Sequence, residues 1–184
     1  LVTLVGVIWA DGGLCLPDYR GGERTYQLLS QVAGRAGRGE EEGRVIIQTY
    51  RPDHYAVELA RQHDYETFFE RELALRGSPL FPPLVRLVNL RISGSREEQT
   101  RQTAHNLTAF CRKTKDALGL PLELLGPAPA PLERLRDRYR WQLLIKGQNS
   151  GDLQRLCSRI TEARGDLARG DLVIDIDVDP ENLL

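Results

Sequence analysis

Methionine is absent from this sequence of 184 residues, cysteine occurs three times, and only three of the 25 basic residues are lysine. Cys15, Cys111 and Cys157 are isolated and odd in number, which argues against a disulfide framework or zinc site and favours a reducing cytoplasm. No apolar run is long enough to span a bilayer and no signal-peptide pattern is present, so we expect no membrane partner. Because the sequence lacks methionine and begins inside an apolar run, we expect it to be a piece of a longer protein.

The composition is that of an ordinary globular chain, with 41% hydrophobic residues, 28% charged residues and a formal net charge of −1. This charge gives no overall attraction to nucleic acid, and the length allows one larger or two small domains. The 22 arginines favour paired hydrogen bonds to phosphate or carboxylate groups, although a GC-rich genome would produce the same bias. His54, His63 and His105 have no metal-ligand spacing, and we predict no bound metal.

The first 52 residues predict part of an α/β sheet. Residues 1–10 are almost continuously apolar, the pattern of a strand buried on both faces of a parallel sheet. Residues 24–32 carry Leu28, Leu29 and Val32 at helical spacing, and residues 43–49 predict a second short buried strand. Two strands and one helix cannot cover both faces of a sheet, so we expect the remainder of this lobe to lie upstream.

A glycine- and arginine-rich motif lies between that helix and the second strand. Gln31, Gly34, Arg35, Gly37 and Arg38 form the pattern Q-x-x-G-R-x-G-R. The arginine fork donates paired hydrogen bonds to phosphate, and a neighbouring glycine allows the backbone to approach a ligand closely. A loop between helix and strand is where an α/β sheet presents ligand-binding residues. The alternative is a solvated, arginine-rich turn.

This motif resembles the last helicase motif of superfamily 2, and its sequence QVAGRAGRG is similar to that of the PriA family of replication-restart DNA helicases. The resemblance implies a RecA-like lobe in which Arg35 and Arg38 reach the γ-phosphate of ATP and Gln31 positions the phosphate or the attacking water. Gly34 and Gly37 would then line the ATP site. The resemblance also implies ATP and Mg²⁺ as cofactors of the parent protein, and zinc sites upstream.

The sequence itself contains neither a G-x-x-x-x-G-K-[ST] loop nor a D-E-x-H box. An arginine finger increases the rate of phosphoryl transfer roughly 10³–10⁵-fold, but only when another lobe holds the nucleotide and Mg²⁺. We therefore predict that this chain alone neither hydrolyses ATP nor unwinds DNA.

The rest of the chain predicts a connector and a second domain. A helix is expected over residues 53–76 with Asp53 as its N-cap, followed by a proline-rich step, which gives domains 1–52, 53–83 and 84–184. Strands are predicted at 85–92, 122–125, 139–145 and 172–178, with prolines ending the second at 126–131, and helices at 95–118 and 150–167. The fold class is thus α/β plus α+β, a partial RecA-like lobe followed by a ferredoxin-like βαββαβ domain.

Around the start of the third predicted strand of this domain, Arg138, Arg140 and Gln142 share one face if the strand begins one residue earlier, because every second side chain of a strand points the same way. This group suits a carboxylate or phosphate partner, and the alternative is a solvated sheet face. Asp175, Asp177 and Asp179 also alternate, but neighbours on such a face lie roughly 7 Å apart, too far for one metal ion. We predict an outward polar face for these three residues.

The segments LGPAPAPL and RYRWQLLIK resemble the C-terminal domain of the same helicase family. In that family the positions matching Arg138 and Gln142 help to receive the acidic C-terminal tail of single-stranded DNA-binding protein, and Arg140 lies between them. The resemblance implies a bacterial, cytoplasmic 3′→5′ DNA helicase that acts at stalled forks. Its partners would be branched and single-stranded DNA, single-stranded DNA-binding protein and other primosome proteins.

Two other interpretations remain open at the level of sequence. The chain could be a non-enzymatic docking module in which residues 31–38 only contact a phosphate backbone, or a fragment of an RNA helicase of the same superfamily. Reading the codons upstream of Leu1 separates the first from a motor protein, because they would contain a phosphate-cradling loop and an acidic box or lack them.

Overall fold

The structure, a computed structural model, describes residues 3–35 and 43–183. The chain forms two compact units, Leu1–Pro79 and Leu80–Leu184. The first contains β1 (Leu4–Val7), α1 (Gly21–Ala33), β2 (Arg44–Ile47), α2 (Tyr55–Gln62) and α3 (Tyr65–Leu75). The second contains β3 (Arg86–Gly94), α4 (Glu97–Ala117), β4 (Glu123–Leu135), β5 (Arg138–Gly147), α5 (Ser150–Leu167) and β6 (Val173–Val178). Among the described residues, no helix combines the length and the apolar character needed to cross a membrane.

The first unit pairs β1 with β2 in parallel, as the apolar runs predict. The expectation that both strands are buried on two faces is wrong for the described residues, because Leu4 is 60% exposed and Ile46 52% exposed. Among residues 3–35 and 43–79, one side of this two-stranded sheet packs against a core, to which Val7 and Ile47 contribute. The buried residues of that core are Ala10, Tyr26, Leu29, Ala56, Val57, Leu59, Ala60 and Phe68.

The helix predicted over residues 53–76 is interrupted. His63 adopts a left-handed conformation with φ of 56°, and the carboxylate of Asp64 then accepts a hydrogen bond from the Thr67 N–H at 3.0 Å, capping α3. The N-cap of α2 is His54, whose Nδ1 accepts from the Ala56 N–H at 3.2 Å, and not Asp53. An aspartate placed three residues before a free N–H starts a new helix, and this local capping overrides the continuous apolar pattern.

An ionic cluster connects three helices of the first unit. The Arg76 guanidinium donates to Glu72 Oε1 at 2.7 Å and to Glu23 Oε2 at 2.7 Å, so α3 is joined to α1. The Tyr55 hydroxyl on α2 donates to Glu72 Oε2 at 2.6 Å. Burial, followed by this hydrogen bond, raises the pKa of Tyr55 above its ordinary value. Arg76 and Glu72 are both buried, and the cluster neutralises their charges internally.

The second unit is an antiparallel sheet in the order β4-β5-β3-β6, with the βαββαβ element order that the sequence predicts. Helices α4 and α5 pack on one face of the sheet, as expected for a ferredoxin-like arrangement. The largest core side chains come from both layers: Val88, Leu90, Ile92, Leu107, Leu143, Ile145, Leu156, Ile160 and Ile174.

Strand β4 is much longer than predicted. The prolines of residues 126–131 do not end it, and pairing with β5 continues to the pair Leu135–Arg138, with register shifts between Leu125 and Ala128 and between Pro129 and Arg134. Because β4 is the edge strand, a proline that lacks an N–H can face away from the partner strand without breaking the ladder. The β4–β5 hairpin therefore extends further than sequence reasoning indicates.

The sheet face opposite the helices is covered at one end. Lys146 on β5 is 2% exposed, and its Nζ donates to the Leu80 carbonyl at 2.9 Å and pairs with Glu123 at 3.0 Å. The same ammonium lies 4.8 Å from the ring centre of Phe81. Residues 80–81 thus lie against this end, and the opposite end of the face carries the site described next.

Candidate functional site: an arginine-lined depression

Three neighbouring strands bring polar side chains together on the face opposite α4 and α5. In the strand register Arg91 of β3 lies between Gln142 of β5 and Asp175 of β6. Two residues further along β3, Ser93 lies opposite Arg140. Side chains directly opposite each other on adjacent strands are in contact range, so residues far apart in sequence form one surface.

This surface contains a cavity of about 210 Å³ beside the turn of the β4–β5 hairpin. We call it the arginine depression. Its lining carries four guanidinium groups, one carboxylate, one hydroxyl and one apolar side chain, from Arg91, Ser93, Leu135, Arg136, Arg138, Arg140 and Asp175. Such an excess of arginine over acidic groups is suited to an anion that accepts paired hydrogen bonds.

Arg138 lines the depression, but its guanidinium is already engaged in the free protein. Its Nη2 donates to the Ser93 carbonyl at 3.0 Å and also to the Asp171 carbonyl, and its Nη1 lies 3.7 Å from the Asp171 carboxylate. These contacts tie the start of β5 to the end of β3 and to the segment before β6. The sequence predicts Arg138 as a ligand-receiving residue, and the structure adds a structural role to it.

The positive charge of Arg140 is less compensated by neighbouring groups than that of Arg138. Within the described residues its guanidinium makes no hydrogen bond and no ion pair. Burial, followed by repulsion from Arg91, lowers its pKa, and Asp175 acts in the opposite direction. An arginine stays charged at any physiological pH. A bound anion would therefore stabilise the charge of Arg140 more than that of Arg138, which already has partners.

Gln142 shares the face with Arg138 and Arg140, as predicted, and lies beside Arg91 in the strand register without lining the depression. Its Oε1 is buried and accepts no hydrogen bond from the described residues. Asn89, two residues before Arg91 on β3, is completely buried and both polar atoms of its amide lack a partner within the described residues. Buried amides without partners are rare in folded proteins.

We expect Asn89→Leu to raise the free energy of unfolding of the second unit by about 1–2 kcal/mol, because it removes the cost of burying an unpartnered amide. Asn89→Asp, which has the same shape and adds a charge, is the matched control and should lower stability by several kcal/mol. Urea unfolding followed by circular dichroism measures both. A loss of stability in Asn89→Leu would instead indicate an ordered water bound to the amide.

Sequence reasoning did not assign five of the lining residues to a ligand site: Arg91, Ser93, Leu135, Arg136 and Asp175. Arg91, Ser93, Arg136 and Asp175 join it through strand register and through the hairpin, neither of which a linear pattern specifies. Alternation alone does place Arg91 on the polar face of β3. The outward polar face predicted for the aspartates holds for Asp175, which is exposed at the edge of the depression.

The remaining two aspartates of that series face arginines. Asp177 lies 3.8 Å from Arg91, and Asp179 accepts hydrogen bonds from Arg86. The described residues contain no group of three or more histidine, cysteine or acidic side chains arranged to hold a metal ion.

The glycine- and arginine-rich motif begins at the C-terminal end of α1, where the sequence predicts it. Gln31, Gly34 and Arg35 are exposed there, and the Arg35 N–H donates to the Val32 carbonyl at 3.1 Å as the helix ends. Gly37 and Arg38 lie outside the described residues. One helical turn separates Gln31 from Arg35, so their side chains leave the same end of α1.

Comparison with known proteins gives consistent matches. Residues 78–181 match the family described as the Primosomal protein N C-terminal domain. The chain is 41% identical over 180 residues to the replication restart protein PriA of Bacillus subtilis (strain 168), covering 97% of this chain and 22% of that protein. It is 41% identical over 179 residues to the protein of the same name from Synechocystis, and the match covers 97% of this chain and 21% of that protein. The Treponema pallidum protein of the same name is 37% identical over 184 residues, and the match covers 100% of this chain and 27% of that protein. The chain thus spans about a quarter or less of the length of these relatives.

Proposed function

The chain belongs to the family of the Primosomal protein N C-terminal domain, and from this membership we propose that it is the C-terminal part of a replication-restart DNA helicase. In this proposal the parent protein couples ATP hydrolysis to movement along DNA at stalled or branched forks. The second unit of the chain directs that motor to its site of action, where it takes part in primosome assembly.

The arginine depression is the observation that carries the docking part of the proposal. Four guanidinium groups and one carboxylate surround a cavity of about 210 Å³, which is large enough for a short peptide segment and has an apolar wall at Leu135. We propose that it receives the acidic C-terminal tail of single-stranded DNA-binding protein. Arg140 would bind a carboxylate of the tail, Arg138 would hold the surrounding strands and contribute charge, and Gln142 would lie beside them.

An acidic peptide fits this site better than a DNA backbone. The chain has a formal net charge of −1, so it has no overall electrostatic attraction to a row of phosphates. The arginines are instead concentrated in one small cavity with an apolar wall, an arrangement suited to a peptide that carries carboxylates beside apolar side chains. Branched and single-stranded DNA remain proposed partners of the parent protein as a whole.

The motor part of the proposal depends on the end of α1. Gln31 and Arg35 are exposed at the C-terminal end of α1, the helix that precedes the second strand of the parallel pair. Arg35 and Arg38 would contact the γ-phosphate of ATP, with Gly34 and Gly37 allowing close approach and Gln31 orienting the phosphate or water. The ATP–Mg²⁺ complex would supply the phosphoryl group, and its binding residues and the zinc sites would belong to other parts of the parent protein.

We expect Arg140→Ala to weaken binding of a fluorescein-labelled acidic peptide with a free C-terminus about tenfold or more, because one charge-assisted contact is lost. Fluorescence anisotropy with the full chain at two salt concentrations measures this. Arg155→Ala, on the exposed side of α5, is the control and should bind as the wild type does. Arg138→Ala should weaken binding and also lower the melting temperature, since it removes contacts to Ser93 and Asp171.

Equal peptide binding by wild type and Arg140→Ala would remove the depression from the docking role. Tighter binding of a single-stranded oligonucleotide than of the peptide, lost in Arg140→Ala, would reassign the depression to DNA.

A further inference from the structure

The turn at the tip of the β4–β5 hairpin has an unusual conformation for its sequence. Arg136 and Asp137 form a two-residue loop between Leu135 and Arg138, the last register pair of the hairpin. Both have positive φ angles, 51° for Arg136 and 60° for Asp137. A two-residue turn of this kind favours Asn-Gly, because a Cβ at a left-handed position lies too close to the following carbonyl oxygen.

The side chain of Asp137 has a partner within the hairpin, which gives one reason for an aspartate at this position. Its carboxylate accepts a hydrogen bond from Arg134 Nη2 at 2.9 Å, across the hairpin tip. Both side chains are well exposed, so this ion pair contributes little stability. Asp137 does not line the arginine depression.

Arg136 has no comparable partner. Within the described residues it makes no side-chain hydrogen bond and no ion pair. It lines the arginine depression together with Arg91, Arg138 and Arg140. In the free protein Arg136 therefore adopts an unfavourable backbone conformation and adds positive charge to a site that already has an excess.

We infer that Arg136 is a further ligand-binding residue of the arginine depression, placed at its rim by the left-handed hairpin turn to contact an acidic group of the docked peptide. This inference depends on the docking function proposed above. A bound carboxylate would neutralise the charge that the free site leaves uncompensated. The unfavourable turn would then be retained for binding and not for the stability of the hairpin.

Two substitutions in the same turn separate binding from stability. Arg136→Asn keeps a residue that tolerates the left-handed conformation and removes the guanidinium, whereas Asp137→Gly relieves the conformation and keeps Arg136. Both should raise the melting temperature of the full chain. We expect Arg136→Asn to weaken binding of the labelled acidic peptide about fivefold and Asp137→Gly to change it less than twofold. Arg136→Lys, which keeps the charge, should recover part of the loss.

The outcomes distinguish this inference from the docking proposal. If the wild-type chain binds the peptide and Arg136→Asn binds it equally well, Arg136 has no role in binding while the docking proposal stands. A lower melting temperature for Arg136→Asn would show that the side chain stabilises the free fold, which also overturns the inference. If the wild-type chain does not bind the peptide, the docking proposal itself fails. If the Arg136 charge affects binding of an oligonucleotide but not of the peptide, the ligand class is wrong.

Discussion

Arg35→Ala in the full-length parent protein is expected to lower the DNA-stimulated ATPase rate by about 10³-fold or more, the usual contribution of an arginine finger to phosphoryl transfer. The reason is electrostatic. Charge accumulates on the phosphoryl oxygens in the transition state, and a guanidinium that donates paired hydrogen bonds stabilises that charge more than it stabilises bound ATP. DNA binding should stay within about twofold of wild type, because the finger contacts nucleotide only.

The position of Arg35 makes this test informative. Its backbone closes the last turn of α1, while its side chain is exposed, so the substitution leaves the core of the first unit intact. Arg35→Lys keeps the charge and loses the planar fork. If Arg35 is an arginine finger, the ATPase rate of this variant should also be severely reduced. Arg61→Ala, exposed on α2, is the control for loss of an arginine from this unit. ATPase at the wild-type rate in Arg35→Ala would end the finger assignment and favour a non-enzymatic docking module.

Elements with strong local signals were predictable from the sequence. Helix α5 spans Ser150–Leu167, the predicted bounds, because the Asn149 side chain caps it by accepting from the Gly151 N–H at 2.8 Å and its apolar stripe is regular. The βαββαβ order followed from the same kinds of pattern. The start of the motif at the end of α1 and the shared face of Arg138, Arg140 and Gln142 required only local periodicity, and the described residues agree with both.

Features that depend on partners distant in sequence were not predictable. The prolines of β4 indicate a strand end until the strand order shows that β4 lies at the sheet edge. The arginine depression requires the register of three strands, which sets Arg91 beside Gln142 and Asp175. The contribution of Arg136 requires a turn conformation that Arg-Asp disfavours, so its sequence gives no signal for it.

The ionic cluster of the first unit is another such feature, since Glu23 and Arg76 are 53 residues apart in sequence. Arg76→Met should lower the free energy of unfolding of this unit by about 3–5 kcal/mol, because it leaves two carboxylates close together and one of them buried without a cation. The methionine approximates the length of the aliphatic stem, so the lost charge dominates the effect. For a unit of this size the loss is comparable to its total stability.

Differential scanning calorimetry of the full chain separates the two units if they unfold independently, and Arg76→Met should then remove or strongly shift one transition and leave the other unchanged. Arg101→Met is the matched control, because Arg101 pairs with Glu98 on the exposed surface of α4 and its loss should cost less than about 0.5 kcal/mol. The double substitution Arg76→Met with Glu72→Leu replaces the buried pair by apolar side chains and should recover much of the loss. If Arg76→Met alone is as stable as wild type, the two carboxylates tolerate each other without the guanidinium, and the cluster does not hold α1 against α3.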